Sequence, residues 1–378
     1  MSLSRRNFLG TLGAGLAAGA VPGAFPSIAS AEFVPKAARR SGKVLLNSNE
    51  NAYGPSRQVQ ARLQKALASA SRYPVSNDQL VARLAALHHV SPDRVTVGCG
   101  STELIRVLAA ELAGPDKTVI TASPTFEAFA EYAPHSGARV VTVPLDHEYS
   151  HDLDAMLACV DGSTALIYLC NPNNPTASIT PRRSIEAFLG KLPPEVVVVI
   201  DEAYHHFAGR SLLYSSFLDQ PVADSRVVVL RTFSKVFGLA GLRIGYAIAS
   251  PELSARLQSR ITDSGVSELG LQAALAALED DEGLQVAVKR NADDRQEFFN
   301  QAMARMLKPI DSKTNFVMMD THHSAAEAIE HFRKNNVLIG RLFPPLNGHI
   351  RISLGTRPEM DEFWRVWDML PYSHGMKM

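Results

Sequence analysis

Six short stretches of this sequence are apolar almost without interruption: KTVIT (117–121), ARVVTVPL (138–145), TALIYLCN (164–171), EVVVVIDEAY (195–204), RVVVL (226–230) and RIGYAIAS (243–250). A strand with one face in water alternates apolar and polar residues, whereas a strand covered on both faces reads as a continuous apolar run. Between these runs, apolar residues recur at helical spacing. The segment 58–71 carries Val59, Leu63, Ala66 and Leu67 on one face, and 78–88 carries Leu80, Val81, Leu84 and Leu87. Further helices are expected at 102–113, 125–136, 152–159, 182–190 and 251–261. Two-faced strands alternating with helices specify an α/β fold, a large doubly wound and mostly parallel sheet with helices on each side.

The texture changes after about residue 270. LQAALAALED reads as a long helix and leads to a smaller α+β region with TNFVMMD, a helix at 324–335, VLIGR and HIRISLGT. With 378 residues, 46% apolar and 20% charged, the chain can fill two or so ordinary cores. The expected layout is an N-terminal segment at 32–57, a large domain at 58–268 and a small C-terminal domain at 269–378.

Residues 1–31 stand apart. Ser4-Arg5-Arg6-Asn7-Phe8-Leu9 resembles the twin-arginine export signal of bacteria, and a weakly apolar Gly/Ala-rich stretch leads to Ala29-Ser30-Ala31. Pro22, Pro26 and five glycines between Gly10 and Gly23 make a poor spanning helix, so cleavage after Ala31 is expected rather than a membrane anchor. Gly13-Ala-Gly15-Leu-Ala-Ala18 matches a dinucleotide fingerprint, but no strand precedes it. Twin-arginine export moves folded proteins, so an exported or periplasmic enzyme that carries its cofactor with it is expected.

Several function classes find little support. Net charge is zero, which gives no support for nucleic-acid or membrane-surface binding. Cys99, Cys159 and Cys170 have neither metal-ligand spacing nor the pattern of a disulfide framework. VVVVIDE (196–202) looks like a Walker B strand, yet no G-x-x-x-x-G-K-[ST] accompanies it. His147-Glu148-Tyr149-Ser150-His151 matches the H-E-x-x-H of zinc proteases, which must lie on a helix. Here it follows a strand directly, and Asp152 reads as the N-cap of the next helix, so the histidines fall in a loop. An exported metalloprotease using His147 and His151 is kept as a remote alternative. There is no G-x-S-x-G elbow and no S-x-x-K with a K-T-G companion.

The polar residues that remain gather where open α/β sheets bind ligands, beyond the carboxyl ends of strands. They are Gly100-Ser101-Thr102, Pro124-Thr125-Phe126, Asn171-Pro-Asn-Asn-Pro175-Thr176, Asp201-Glu-Ala-Tyr204, Thr232-Phe-Ser-Lys235 and Arg243. In order and spacing they resemble the fold-type I pyridoxal-phosphate enzymes, and among these the class I/II aminotransferases. The pattern is most similar to the histidinol-phosphate aminotransferase group, which shares N-E-N-x-Y-G-P, R-Y-P, N-P-N-N-P-T, D-E-A-Y and R-T-x-S-K-x-F-x-L-A-G-L-R-x-G-Y. The resemblance covers residues 40 to 370.

The resemblance implies a role for each residue. Lys235 is the Schiff-base lysine, apt because a desolvated amine near other cations loses its proton and becomes nucleophilic. Asp201 faces the pyridine nitrogen, Tyr204 and Asn174 the phenolic oxygen, and Phe126 the ring face. Ser101 and Thr102, at the start of a helix, hold the phosphate together with Thr232, Ser234 and Arg243. Tyr73 reaches the phosphate of a neighbouring subunit, so a homodimer is expected. Arg351 grips the substrate carboxylate. Arg341, Tyr53 and Asn49 also face the substrate. One departure stands out: the family reads N-P-T-G where this chain has Asn174-Pro175-Thr176-Ala177. Glycine there permits a positive φ or a close approach, and alanine is expected to shift the loop slightly.

The expected activity is exchange of an amino group between an amino acid or amine and a 2-oxo acid, by a ping-pong route. Histidinol phosphate stays open as a substrate, although a biosynthetic phosphate ester belongs in the cytoplasm. The same cofactor also supports decarboxylases, lyases and oxidases.

Overall fold

In a computed structural model of the protein, which describes residues 42–370 except 210, 212, 220–223, 263 and 264, the six apolar runs form six strands of one seven-stranded sheet. The signal-like residues 1–31 lie outside the described residues. The strands are β1 (Val44–Leu46), β2 (Val95–Gly98), β3 (Thr118–Ser123), β4 (Arg139–Pro144), β5 (Thr164–Cys170), β6 (Val197–Asp201), β7 (Val227–Thr232), β8 (Gly245–Ile248), β9 (Phe316–Asp320), β10 (Val337–Ile339) and β11 (His349–Ser353). The helices are α1 (Arg57–Ala66), α2 (Asp78–His88), α3 (Gly100–Leu112), α4 (Ala128–Tyr132), α5 (Leu153–Ala158), α6 (Arg182–Leu189), α7 (His205–Ala208), α8 (Pro251–Gln258), α9 (Glu268–Leu278), α10 (Asp281–Ala304), α11 (Ala325–Lys334) and α12 (Arg357–Trp367). None of the described helices is long and apolar enough to cross a membrane.

The large sheet has the order β2-β8-β7-β6-β5-β3-β4. Its strands from β7 to β4 are parallel, while β8 runs antiparallel to both β7 and β2. The unbroken apolar runs now have a reason. Along β5, Ile167 and Leu169 enter one core with α2, α6 and α9, while Leu166, Tyr168 and Cys170 enter the other with α3, α4 and α8. The inner strands are buried on both faces, so they have little room for polar side chains, whereas the edge strand β4 keeps Arg139, Thr142 and Pro144 exposed.

The sequence did not announce β2, a short edge strand that pairs Val95–Gly98 with Ile248–Gly245. It also did not give the direction of β8. The connection from Thr232 to Gly245 contains only a short 3₁₀ turn at Ala240–Leu242 and no crossover helix, so the chain returns antiparallel. That return puts both ends of the connection at the carboxyl edge of the parallel strands, next to the end of β6.

The helix read from LQAALAALED is α9, which ends at Leu278, and a second, longer helix, α10, follows it. The two are separated at Asp280, whose side chain caps α10 by accepting from the Gly283 amide. α9 packs into the core of the large sheet through Leu271, Ala273, Ala274 and Ala276. A separate core forms around β9 and β11, which are antiparallel, with α11, α12 and Phe298 of α10. β1 joins it from the other end of the chain by pairing in parallel with β10.

Candidate active site

The carboxyl edge of the large sheet opens into a cavity of about 860 Å³. Three chain ends build its floor. β6 ends on Asp201, β7 runs out through Thr232 and Ser234 to Lys235, and the return strand β8 is preceded by Arg243. α3 contributes its first turn, with Ser101 and Thr102 lining the cavity. The first amides of a helix have no partner within it and carry its positive end, so this turn is an anion seat.

Close packing at that seat requires glycine. Gly100 has φ +76°, and a Cβ there would lie 2.4 Å from Arg243 Nη2. A Cβ at Gly245 would lie 2.3 Å from the Ser101 amide nitrogen. Arg243 itself is left-handed, at φ 53°, and donates to the Ala240 carbonyl (3.0 Å) and Ser234 Oγ (3.4 Å).

Lys235 Nζ lies 5.4 Å from the centre of the Tyr204 ring and donates to the Asn49 carbonyl at 3.1 Å. Burial, then the Arg351 charge, lower its ammonium from the ordinary value to about 8. Asp201 is 2% exposed, and its carboxylate accepts from Tyr168 Oη (2.9 Å) and the Ala203 amide (3.0 Å). Burial raises it to about 6 against those hydrogen bonds. The next residue, Glu202, does not face the cavity. It is buried against Arg231 Nε at 2.8 Å and Ser216 Oγ at 2.6 Å, which accounts for the second acidic residue of the D-E pair structurally.

Arg351, on β11, reaches in from the C-terminal region. It donates to Asn174 Oδ1 (2.6 Å) and the Asn47 carbonyl (2.8 Å), and its Nε is buried without a partner. Burial lowers its guanidinium to about 10. Tyr204 is fixed by its edge against Phe316 (5.1 Å) and by a hydrogen bond from Asn49 Nδ2 (3.1 Å). Asn49 thus spends its side chain on Tyr204 and Ser353, and its backbone is left-handed at φ 53°.

Of the residues expected to hold the cofactor or substrate, all but Tyr53 and Tyr73 line this one cavity. Tyr53, expected over the substrate, turns instead to α10, where its hydroxyl donates to Asp294 Oδ1 (3.3 Å) beneath the Arg290 guanidinium. Tyr73 is 86% exposed. Phe126 stands just before α4, which is shorter than its expected 125–136. The two histidines of the H-E-x-x-H stretch part company. His147 is exposed beside Glu148, whereas His151 is buried on Thr180 Oγ1 at 2.8 Å, and α5 starts only at Leu153. Among the described residues no group of histidines, cysteines or carboxylates is arranged to hold a metal.

Two residues were missed. Tyr168 reads in sequence as a core strand residue, and its hydroxyl is what reaches Asp201. Glu127 reads as a helix residue, and it lines the cavity and pairs with Arg341. Neither has a local signal, because both partners are remote in sequence.

One buried carboxylate, one amine of lowered basicity, and a guanidinium beside a helix N-terminus form a donor set. It fits a group with a basic ring nitrogen, an aldehyde and a phosphate, and Gly100 and Gly245 let Arg243 and the first turn of α3 pack closely at the phosphate end. Comparison with known proteins agrees. The profile of the family "Aminotransferase class I and II" matches residues 41–366. The histidinol-phosphate aminotransferase of Bacillus velezensis is 34% identical over 328 residues, 85% of this chain and 90% of its own. The aromatic amino acid aminotransferase of Cutibacterium acnes is 36% identical over 326 residues, 84% of this chain and 90% of its own. The crystal structure of histidinol-phosphate aminotransferase from Sinorhizobium meliloti in complex with pyridoxal-5'-phosphate has a TM-score of 0.80 at 30% identity, over 87% of this chain and 90% of that one. This chain therefore belongs to the class I and II aminotransferases and is a pyridoxal-phosphate-dependent transaminase.

Proposed function

We propose that this transaminase moves the amino group of a free amino acid or amine to a 2-oxo acid, and that it does so as an exported homodimer. The observation that carries the reading is the meeting of Lys235, Asp201, Arg243 and Arg351 in one cavity. When bound, the cofactor supplies an aldehyde that condenses with amines and a ring that accepts electrons. The α3 N-terminus with Ser101 and Thr102, together with Thr232, Ser234 and Arg243, would hold its phosphate. Asp201 would keep the ring nitrogen protonated, Tyr204 and Asn174 would donate to its phenolic oxygen, and Phe126 would cover its face.

Lys235 Nζ, its basicity lowered by burial to about 8, would be the base that takes the α-proton of the donor. Arg351 offers a planar fork to a carboxylate, and Asn174 and the Asn47 carbonyl hold that fork in place. An amino acid is favoured as donor by the aromatic and aliphatic part of the lining, with Phe126, Tyr132, Ile339 and Phe343, and by the likeness to an aromatic amino acid aminotransferase. Histidinol phosphate is the second reading, supported by the names of other relatives and by a second arginine, Arg341, at the cavity.

Tyr73 is exposed, as a side chain reserved for a second subunit's phosphate must be in one chain alone. Export rests on Arg5-Arg6 and the A-x-A at 29–31.

The test is the visible spectrum of the purified mature protein with pyridoxal phosphate, beside Lys235→Ala. The expected result is a band that shifts with pH in the wild type and is absent in the variant, with cofactor capture by the wild type quickening as pH rises through about 8. A protein that stays colourless would overturn the assigned site. Fractionation of cells carrying wild-type or Arg5→Lys/Arg6→Lys protein checks export, and retention of the wild type in the cytoplasm would refute it.

A further inference from the structure

The mouth of the cavity is built by two parts of the chain. One is the start of α4, with Glu127, Glu131 and Tyr132. The other is C-terminal, with Ile329, Ile339, Arg341 and Phe343. Among the described residues one ion pair spans them, Arg341 Nη2 to Glu127 Oε2, with both side chains about half exposed. Arg341 and Arg351 lie against the same aromatic ring, their guanidinium carbons 4.4 Å and 4.7 Å from the centre of Phe343. Phe343 is therefore a shared neighbour of the two guanidiniums, and the Arg341 charge is felt at Arg351. Only one of them is paired to a carboxylate: Arg341 to Glu127, while Arg351 has the neutral acceptors Asn174 and Asn47.

The charge of the lining points the same way. With Lys235, Asp201 and Arg243 committed to the cofactor, the charged side chains left on the lining are Glu50, Glu127, Glu131, Arg341 and Arg351. Three acidic groups face two basic ones. A donor with one carboxylate finds Arg351 ready. A donor whose phosphate dianion takes the carboxylate's place at Arg351 has a second charge to neutralise, and the other guanidinium of the lining, Arg341, is held by Glu127. Placing like charges together is how binding sites reject a wrong partner.

We infer that Glu127 is a specificity-determining residue: by occupying Arg341 it selects donors with a single carboxylate and an apolar side chain over donors with a phosphate ester. The inference deepens the proposed function and rests on its placement of the substrate at Arg351. Because the pair is half exposed it is weak and exchangeable, so Glu127 biases the choice of donor and does not hold the fold.

The test uses the holoenzyme and its Glu127→Gln variant with L-phenylalanine and L-histidinol phosphate. Stopped-flow conversion of the bound cofactor's visible band gives a Kd and a limiting rate for each donor. Glu127→Gln is expected to shift the ratio of rate over Kd by about tenfold toward histidinol phosphate. The change is expected in the Kd of the phosphate donor, with limiting rates nearly unmoved, and Glu127→Gln/Arg341→Gln should lose it again. An unchanged ratio, or parallel changes for both donors, would overturn the inference. So would a variant whose cofactor band differs before any donor is added, since Glu127 would then act on the cofactor. The underlying reading fails separately: a wild type that prefers histidinol phosphate to phenylalanine rejects the free amino acid as donor, while the response of the ratio to Glu127→Gln still reports on Glu127.

Discussion

At the side chain of Asp201, burial and hydrogen bonding oppose each other. Burial raises the carboxyl to about 6, and the first of the groups pulling it down is the Tyr168 hydroxyl at 2.9 Å. Tyr168→Phe keeps the ring and removes that donor, so the carboxyl rises further. A protonated ring nitrogen needs the ionised carboxylate, and cofactor affinity is therefore present above the pKa and lost as pH falls through it. In Tyr168→Phe the loss is expected to begin about one pH unit higher, read as Kd for pyridoxal phosphate against pH. Coincident curves would show that Tyr168 does not govern this charge. Ala177 poses a question of strain. It is fully buried and left-handed, at φ 64°, the conformation for which glycine is the ordinary choice. Ala177→Gly relieves about 1–2 kcal/mol of left-handed strain and forfeits about 0.8 kcal/mol for a buried methyl. The expected net is a gain of about 0.2–1.2 kcal/mol, measured as a higher denaturation midpoint with an unchanged slope. A lower midpoint would mean that the methyl's packing in the cluster with Tyr204 and Phe316 outweighs the strain. The sequence showed that glycine was missing here. The sign of φ, which decides what that costs, came from the fold.

The elements make the cavity by where they stop. β8 lies against the first turn of α3, and Gly245 is the point of contact, with its would-be Cβ 2.3 Å from the Ser101 amide and 2.7 Å from the Gly100 carbonyl carbon. Those neighbours are backbone and cannot swing aside. Gly245→Ala is expected to cost about 1–3 kcal/mol of stability by overpacking and to push the α3 amides off the phosphate position. Thermal unfolding should show the first effect, and weakened binding of pyridoxal phosphate to the folded variant the second. Lost stability with unchanged cofactor affinity would remove the α3 turn from the phosphate seat. Most strands and helices of this region were legible because periodicity reports burial directly. β2 was not legible, being four residues at an edge, and neither was the antiparallel sense of β8. Both depend on which strand lies alongside, which no local pattern encodes. The break between α9 and α10 was legible in principle, since Asp280 is an N-cap residue type within the run.

For the whole molecule, the proposed dimer makes a quantitative demand. If Tyr73 of one subunit completes the site of the other, Tyr73→Ala and Lys235→Ala proteins are each impaired, but a hybrid of the two holds one intact site. Random reassociation of equal amounts should restore about a quarter of wild-type activity. Absence of rescue, with hybrids verified by mass, would place Tyr73 outside the site. A single chain cannot show this, because Tyr73 points to solvent within it.

By itself the sequence determined the α/β class, the doubly wound sheet and most of the cavity's chemistry. Strands buried on both faces must be apolar throughout, and residues at their carboxyl ends, such as Asp201 and Lys235, are then conspicuous as the polar exceptions. Tertiary structure alone decided the pairings that set charge and shape. Asn49 meets Tyr204 across 155 residues, Arg351 meets Asn174 across 177, and Arg341 meets Glu127 across 214. It also turned Tyr53 away toward Asp294 and put Tyr168 on Asp201. A residue's type is written locally, but its pKa and its partner depend on what the fold packs against it, and for these residues that comes from distant parts of the chain.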